Sequence, residues 1–182
     1  MAALTVPITS RDHVQGPESA ELTLTEYGDY ECPYCGRAYP IVKRVQRHFG
    51  RRLRFVFRNF PLTRMHPHAE RAAEAAEFAG ARGKFWEMHD LLFENQQRLG
   101  DPLFSELAEK LELPAAELRK ALDEEAFQSR VRDDFTGGVR SGVNGTPTFF
   151  VNGQRHDGTF DLERLVAALE SAASAANGAD RK

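Results

Sequence analysis

Only two of the 182 residues are cysteine, neither sign of charge dominates, and no long apolar run interrupts the chain. Each scarcity excludes something. A membrane-spanning helix needs about 18 to 20 consecutive apolar residues, and no stretch approaches that. The net charge of −3, with no basic cluster interleaved with aromatics, argues against nucleic acid as a partner. There is no internal repeat. Met1 to Arg11 lacks an apolar run of about seven residues, so no signal peptide is read there. Two cysteines in one short motif suit a reducing cytoplasm. The expected compartment is therefore cytoplasmic, with an exported mature form that has lost its signal as the alternative. Hydrophobic residues make up 41% of the chain, enough for the core of one domain carrying an inserted subdomain.

Those two cysteines are Cys32 and Cys35, in Cys32-Pro33-Tyr34-Cys35, where a strand pattern turns into a helix. Two thiols three positions apart on a first helical turn can approach bonding distance without backbone movement. Pro33 suits the first helical position, having no N–H to lose and a φ already helical. Cys32 then sits at the helix N-terminus, where unpaired N–H groups and the dipole favour an anion. Thiol pKa values in such motifs fall to roughly 3.5 to 7, so Cys32 can serve as nucleophile and Cys35, one turn deeper, as resolving thiol. Other readings of the pair remain. A purely structural disulfide gains little, because so short a loop removes little unfolded-state entropy. Half of a zinc site would need two of the six histidines, of which His66 and His68 are the closest pair.

The flanking pattern narrows the choice. Glu21 to Tyr27 reads as a strand, with Leu22, Leu24 and Glu26 on one face and Thr23, Thr25 and Tyr27 on the other. This places the Glu26 carboxyl on the apolar face, where burial raises a pKa and suits proton exchange with a thiol. The competing reading is a solvated strand end. Ala38, Ile41, Val42, Val45 and Phe49 recur at helical spacing, so the motif opens an amphipathic helix ending at Gly50, with Pro40 inside it as a kink. Leu53 to Phe60 is a second strand. Far along the chain, Pro147 begins a strand through Val151, and Asn152-Gly153 signals a hairpin. A proline at such an edge can be cis. Leu162, Leu165, Val166 and Leu169 form a last helix capped by Asp161.

Strand, dithiol helix, strand and a distant Thr146-Pro147 loop resemble the thioredoxin superfamily, and within it the DsbA-like thiol-disulfide oxidoreductases with a helical insertion. The resemblance implies an α/β thioredoxin fold, a central mixed sheet flanked by helices with an inserted α-helical subdomain. Residues 1–62 and 139–172 would form the thioredoxin-like domain, 63–138 the insertion and 173–182 a flexible tail. It implies that Cys32 attacks a partner disulfide, that Cys35 resolves the adduct, and that Glu26, six positions before Cys32, is the family's acidic residue. Pro33, Tyr34, Thr146 and Pro147 would contact an extended substrate segment. No cofactor beyond the redox-active Cys32–Cys35 disulfide is implied, and no metal. Tyr34 stands where many DsbA relatives carry His, and Thr146 is commoner in reductase, isomerase and BdbD-like branches, so oxidation, reduction and isomerisation all stay open. Protein or peptide thiols and disulfides are the implied partners, with glutathione or a redox partner protein beside them. A glutaredoxin-like, glutathione-dependent reductase and a redox-sensing interaction module are the alternatives.

The insertion reads as helical. Helices are expected over His68 to Ala81, after Gly83 through Phe85 to Phe93, from Asp101-Pro102 with Leu103, Leu107 and Leu111 as stripe, and from Pro114. A last one contains Phe127 and Val131 and ends before Gly137-Gly138. Trp86, Met88 and His89 read as core rather than as a ligand box. His66 and His68 read as a helix start rather than a metal site.

Overall fold

The computed structural model describes residues 3–179. Five strands form one sheet, β1 (His13–Gln15), β2 (Leu22–Gly28), β3 (Leu53–Asn59), β4 (Thr148–Val151) and β5 (Gln154–Arg155), in the order β1-β3-β2-β4-β5. The neighbours β2 and β3 are joined by α1 (Pro33–Phe49). The other described pairings are antiparallel, with Glu26 opposite Phe149 and Tyr27 opposite Thr148 across β2 and β4. Every residue of β2 is buried. The expected alternation of an inner and a milder face is therefore replaced by burial on both, as a central strand covered on each side requires.

The helices after β3 are α2 (Ala69–Gly80), α3 (Phe85–Glu94), α4 (Asp101–Lys110), α5 (Ala115–Asp123) and α6 (Gln128–Arg140), and α7 (Leu162–Ala179) closes the chain. The chain divides into two compact units. One comprises residues 1–27, 37–58 and 137–182, and the other residues 28–36 and 59–136.

The first unit holds most of the sheet. Its core joins Leu22, Leu24 and Tyr27 of β2 to Phe55 and Phe57 of β3, Phe150 of β4, Val42 and Val45 of α1, and Leu165 and Leu169 of α7. Asn152 and Gly153 both take positive φ, at 46° and 80°, the geometry of the two-residue turn that matches strand twist. Asp161 caps α7 by accepting the Arg164 N–H at 3.0 Å. Ala173 is buried one turn after Leu169, and the helix continues through Ala179. The tail expected from Ala173 is thus helical that far, and residues 180–182 lie outside the described residues.

Gly137 and Gly138 lie inside α6, which runs through both rather than ending before them as the sequence pattern predicts. A Cβ on Gly137 would meet the Val6 side chain at 3.2 Å and the Tyr27 hydroxyl at 3.6 Å. Here glycine permits close approach, which outweighs its cost inside a helix. The strand β1 carried no recognisable pattern in three residues.

The second unit is a small helical body. α2 packs against α3 and α5, and α4 against α5, around Phe78, Phe85, Met88, Leu92, Phe104, Leu107 and Leu118. α4 ends at Lys110 and leaves Leu111 half-buried. Pro114 precedes α5 as its N-cap residue. His89 is buried and hydrogen-bonded at Nδ1 to the Tyr30 hydroxyl at 3.0 Å, a satisfied core histidine among Phe85, Trp86 and Phe93.

Candidate active site

The dithiol turn is built into the second unit. β2 ends at Gly28, and the chain makes a turn in which the Cys32 N–H donates to the Asp29 carbonyl at 3.1 Å. The Cys32 carbonyl then accepts the Gly36 N–H at 3.0 Å, the first α-helical bond. Cys32 is therefore the N-cap residue of α1 and Pro33 its first helical residue, the placement in which a thiolate gains most from the unpaired N–H groups and the dipole. Both cysteines are buried, at 4% exposure for Cys32 and 0% for Cys35. Tyr34, between them, is 55% exposed, so the turn shows solvent the ring rather than the sulfurs.

Two residues outside the motif hold this turn, and neither was singled out from the sequence. Asp29 is fully buried. Its backbone N–H donates to the Cys35 sulfur at 3.4 Å. Its carboxylate accepts the Glu31 N–H on one oxygen, at 2.8 Å, and on the other the Leu62 N–H and the His66 Nδ1–H, each at 2.8 Å. Gln96, in the short 3-10 turn after α3, donates through Nε2 to the carbonyls of Tyr30 and Cys32 at 2.8 and 2.9 Å. His66 is thus a partner of a buried acid. His68 precedes α2 without a side-chain cap, its N–H donating to Glu31 at 2.6 Å. Among the described residues no group of three or more His, Cys, Asp or Glu is placed to hold a metal ion.

The remaining predicted residues lie in the first unit. Glu26 is 3% exposed on β2, which excludes the solvated strand end. The Thr146–Pro147 peptide is cis and leads directly into β4, where the Thr148 hydroxyl donates to the Gly145 carbonyl at 2.7 Å. Pro147 lines a pocket of about 180 Å³ with Phe149, Arg155, His156 and Phe160. Cys32, Pro33, Tyr34 and Cys35 are therefore brought together, and Glu26 shares the sheet with the Thr146–Pro147 loop. In the second unit, Pro61, Leu62, Thr63, Arg64, Met65 and Phe135 line an apolar pocket of about 340 Å³, with Met65 67% exposed at its rim.

A dithiol at a helix N-terminus after a sheet strand, with a cis-proline loop and a helical insertion following β3, defines the DsbA-like class of the thioredoxin superfamily. The thioredoxin family model matches residues 9–171, and the chain belongs to that family. BdbD from Bacillus subtilis is 26% identical, with a TM-score of 0.86 over 95% of this chain and 98% of that one. Alpha-DsbA1 of Wolbachia pipientis, at 16% identity, shares the fold with a TM-score of 0.81 over 95% of this chain and 96% of that one. In sequence, 170 residues, 93% of this chain, are 48% identical to part of a Na(+)/H(+) antiporter NhaA 1 of Salinispora arenicola. The chain spans about a quarter of the length of the curated relatives it matches, 26% in that case. No described helix is long and apolar enough to cross a membrane.

Proposed function

We propose that this chain is an enzyme that exchanges disulfides with protein substrates through Cys32 and Cys35, the redox-active pair serving in place of any cofactor. The observation that carries the reading is the position of Cys32 as N-cap of α1 with Pro33 behind it. Its thiolate there attacks one sulfur of a substrate disulfide, forming a Cys32–substrate bond and releasing the other substrate sulfur as a thiolate. Cys35 then attacks Cys32, closes the Cys32–Cys35 disulfide and expels the second substrate thiolate. The dithiol loses two electrons and the substrate gains them, and the reverse sequence oxidises a substrate dithiol. Glu26, a buried acid six residues before Cys32, takes the role of proton carrier in this scheme. Tyr34 offers an exposed ring to a substrate segment, and Thr146 and Pro147 are assigned substrate contacts on the family resemblance alone. A Cys35→Ser variant incubated with a disulfide-containing peptide is expected to accumulate a mixed disulfide at Cys32, and the absence of any adduct would overturn the reading.

The reduction potential of the pair decides direction. A value near roughly −120 mV makes the chain a disulfide donor suited to an oxidising compartment, and one near roughly −270 mV a cytoplasmic reductase.

A second reading concerns the client. Relatives at 41 to 48% identity are named Na(+)/H(+) antiporters and match this chain over about a quarter of their length. That linkage favours an antiporter of this type as redox partner, a thiol or disulfide of which would exchange with Cys32. Co-expression of the Cys35→Ser variant with such an antiporter is expected to yield a reducible complex identified by peptide mass. Recovery of both polypeptides without a cross-link would exclude it.

A further inference from the structure

Resting on the disulfide-exchange reading, the geometry points to Asp29 as the positioning residue for the resolving thiol: its buried carboxylate, gripped by Leu62 and His66, aims its own backbone N–H at Cys35 and thereby controls the step in which the Cys35 thiolate forms or is consumed.

One residue's main chain reaches both cysteines. The Asp29 carbonyl takes the Cys32 N–H, and the Asp29 N–H points at the Cys35 sulfur. A sulfur with no solvent exposure gives up solvation when it ionises, and burial disfavours the charged form unless donors replace water. The Asp29 N–H is such a donor, and hydrogen bonding to the charged form favours it. A donor 3.4 Å away helps only while it stays aimed, and the side chain supplies the aim. The carboxylate is held by three donors, from Glu31, Leu62 and His66, the last two belonging to the segment that follows β3. A buried carboxylate with both oxygens occupied is costly to move. Rotation of the Asp29 peptide would break these bonds together.

The chemistry is the same in either direction. When the chain reduces a substrate, the Cys35 thiolate attacks the Cys32 sulfur, the Cys32–Cys35 bond forms, and the Cys32–substrate bond breaks with its electron pair on the departing substrate sulfur, which takes a proton from water. When the chain oxidises a substrate, a substrate thiolate attacks Cys32 and Cys35 leaves as the thiolate. In both cases the Asp29 N–H faces the sulfur that carries the charge.

The test separates this inference from the reading beneath it. Capture and release of a synthetic peptide with one intramolecular disulfide are followed by acid quench and mass, in the parent chain and in Asp29→Asn, His66→Leu and His66→Asn. Cys35→Ser serves as the reference that traps adduct. Asn at 29 brings an N–H₂ toward donors that need acceptors, so Asp29→Asn is expected to slow release about tenfold more than capture. In a Cys32→Ser background it should also raise the Cys35 thiol pKa, read by thiolate absorbance, by about one unit, the same factor of ten. His66→Leu should slow release in the same sense. His66→Asn, which keeps a donor near the Nδ1 position, should restore it. If Asp29→Asn does not fold, the contrast between the two His66 variants decides. Parent-like release in Asp29→Asn, or in His66→Leu, overturns the inference. Failure of Cys35→Ser to trap any adduct overturns the exchange reading instead.

Discussion

Gln96 occupies the space that a Cβ on Gly36 would need, its Oε1 lying against the place where that carbon would sit. The glycine after Cys35 therefore lets a side chain 60 positions later reach past it to the Tyr30 and Cys32 carbonyls. A Gly36→Ala substitution, favourable by helix propensity alone, should instead displace Gln96 and lose both bonds. The expected loss is about 1–3 kcal/mol from overpacking and the two lost Gln96 hydrogen bonds, measured as a lower urea midpoint. Gln96→Ala should cost a similar amount. The double variant should cost less than the sum, because the two changes remove the same contacts. Strict additivity would show that Gly36 and Gln96 act separately.

What could be seen in the sequence depended on how local the cause was. Pro33 at a helix start, the periodic Val42, Val45 and Phe49, and the Asn152-Gly153 turn act within a few residues, so the elements around the dithiol were legible. Burial of Glu26 followed from its place among Leu22 and Leu24. Asp29 and Gln96 were not legible as site residues, since their roles depend on partners 33 to 66 positions away. The motif draws attention to the thiols, but nothing in its spacing indicates that the Asp29 N–H is aimed at Cys35 or that Leu62 and His66 hold the Asp29 carboxylate. Gly137 was misread for the same reason: a helix break and a close approach look alike until Val6 is placed beside it.

Arg58 anchors the segment before β1. It donates to Asp12 through Nε at 2.6 Å and an Nη at 3.1 Å, to the carbonyls of Val6 and Pro7, and to the Tyr27 hydroxyl. Burial works against its charge, yet the bonds to Asp12 and Tyr27 outweigh it and hold the guanidinium above its ordinary range. Asp12→Ala leaves that charge buried without its counter-ion and should cost about 3–5 kcal/mol. Replacing both partners, as Asp12→Leu with Arg58→Met, should cost less than the single change. Urea titrations of the three variants test this, and a double variant worse than Asp12→Ala would refute it.

Glu74 gives stability an unusual pH dependence. Burial pushes its pKa from an ordinary 4.5 to about 7, against the opposing N–H from Phe127 at 3.3 Å and with nearby Glu70 adding to the shift. Between these values the folded chain keeps a proton that the unfolded chain has released. The contribution is complete below about 4.5 and is lost as pH rises through about 7. Asp134 is shifted in the same direction by burial, in opposition to Arg130. Glu74→Gln, which keeps an acceptor for Phe127, should be more stable than the parent at pH 8, by on the order of 1–3 kcal/mol. It should be close to the parent at pH 5. A gain independent of pH would point to packing rather than titration.

Tyr34 tests what sets the redox direction. Its ring is 55% exposed, so replacing it disturbs little of the core. An imidazole at this position beside the Cys32 sulfur favours the thiolate when protonated, and stabilising the reduced form raises the potential. Tyr34→His should therefore make the pair more oxidising by about 30 mV for each 1.4 kcal/mol gained by the thiolate, with a matching fall in the Cys32 pKa of about one unit. Equilibration with glutathione redox buffers gives the potential, and thiolate absorbance the pKa. The two should move together, because both report the free energy of one anion. A shift in potential without a shift in the Cys32 pKa would place the effect on the disulfide form, and residue 34 would then act through strain in the oxidised turn rather than through charge.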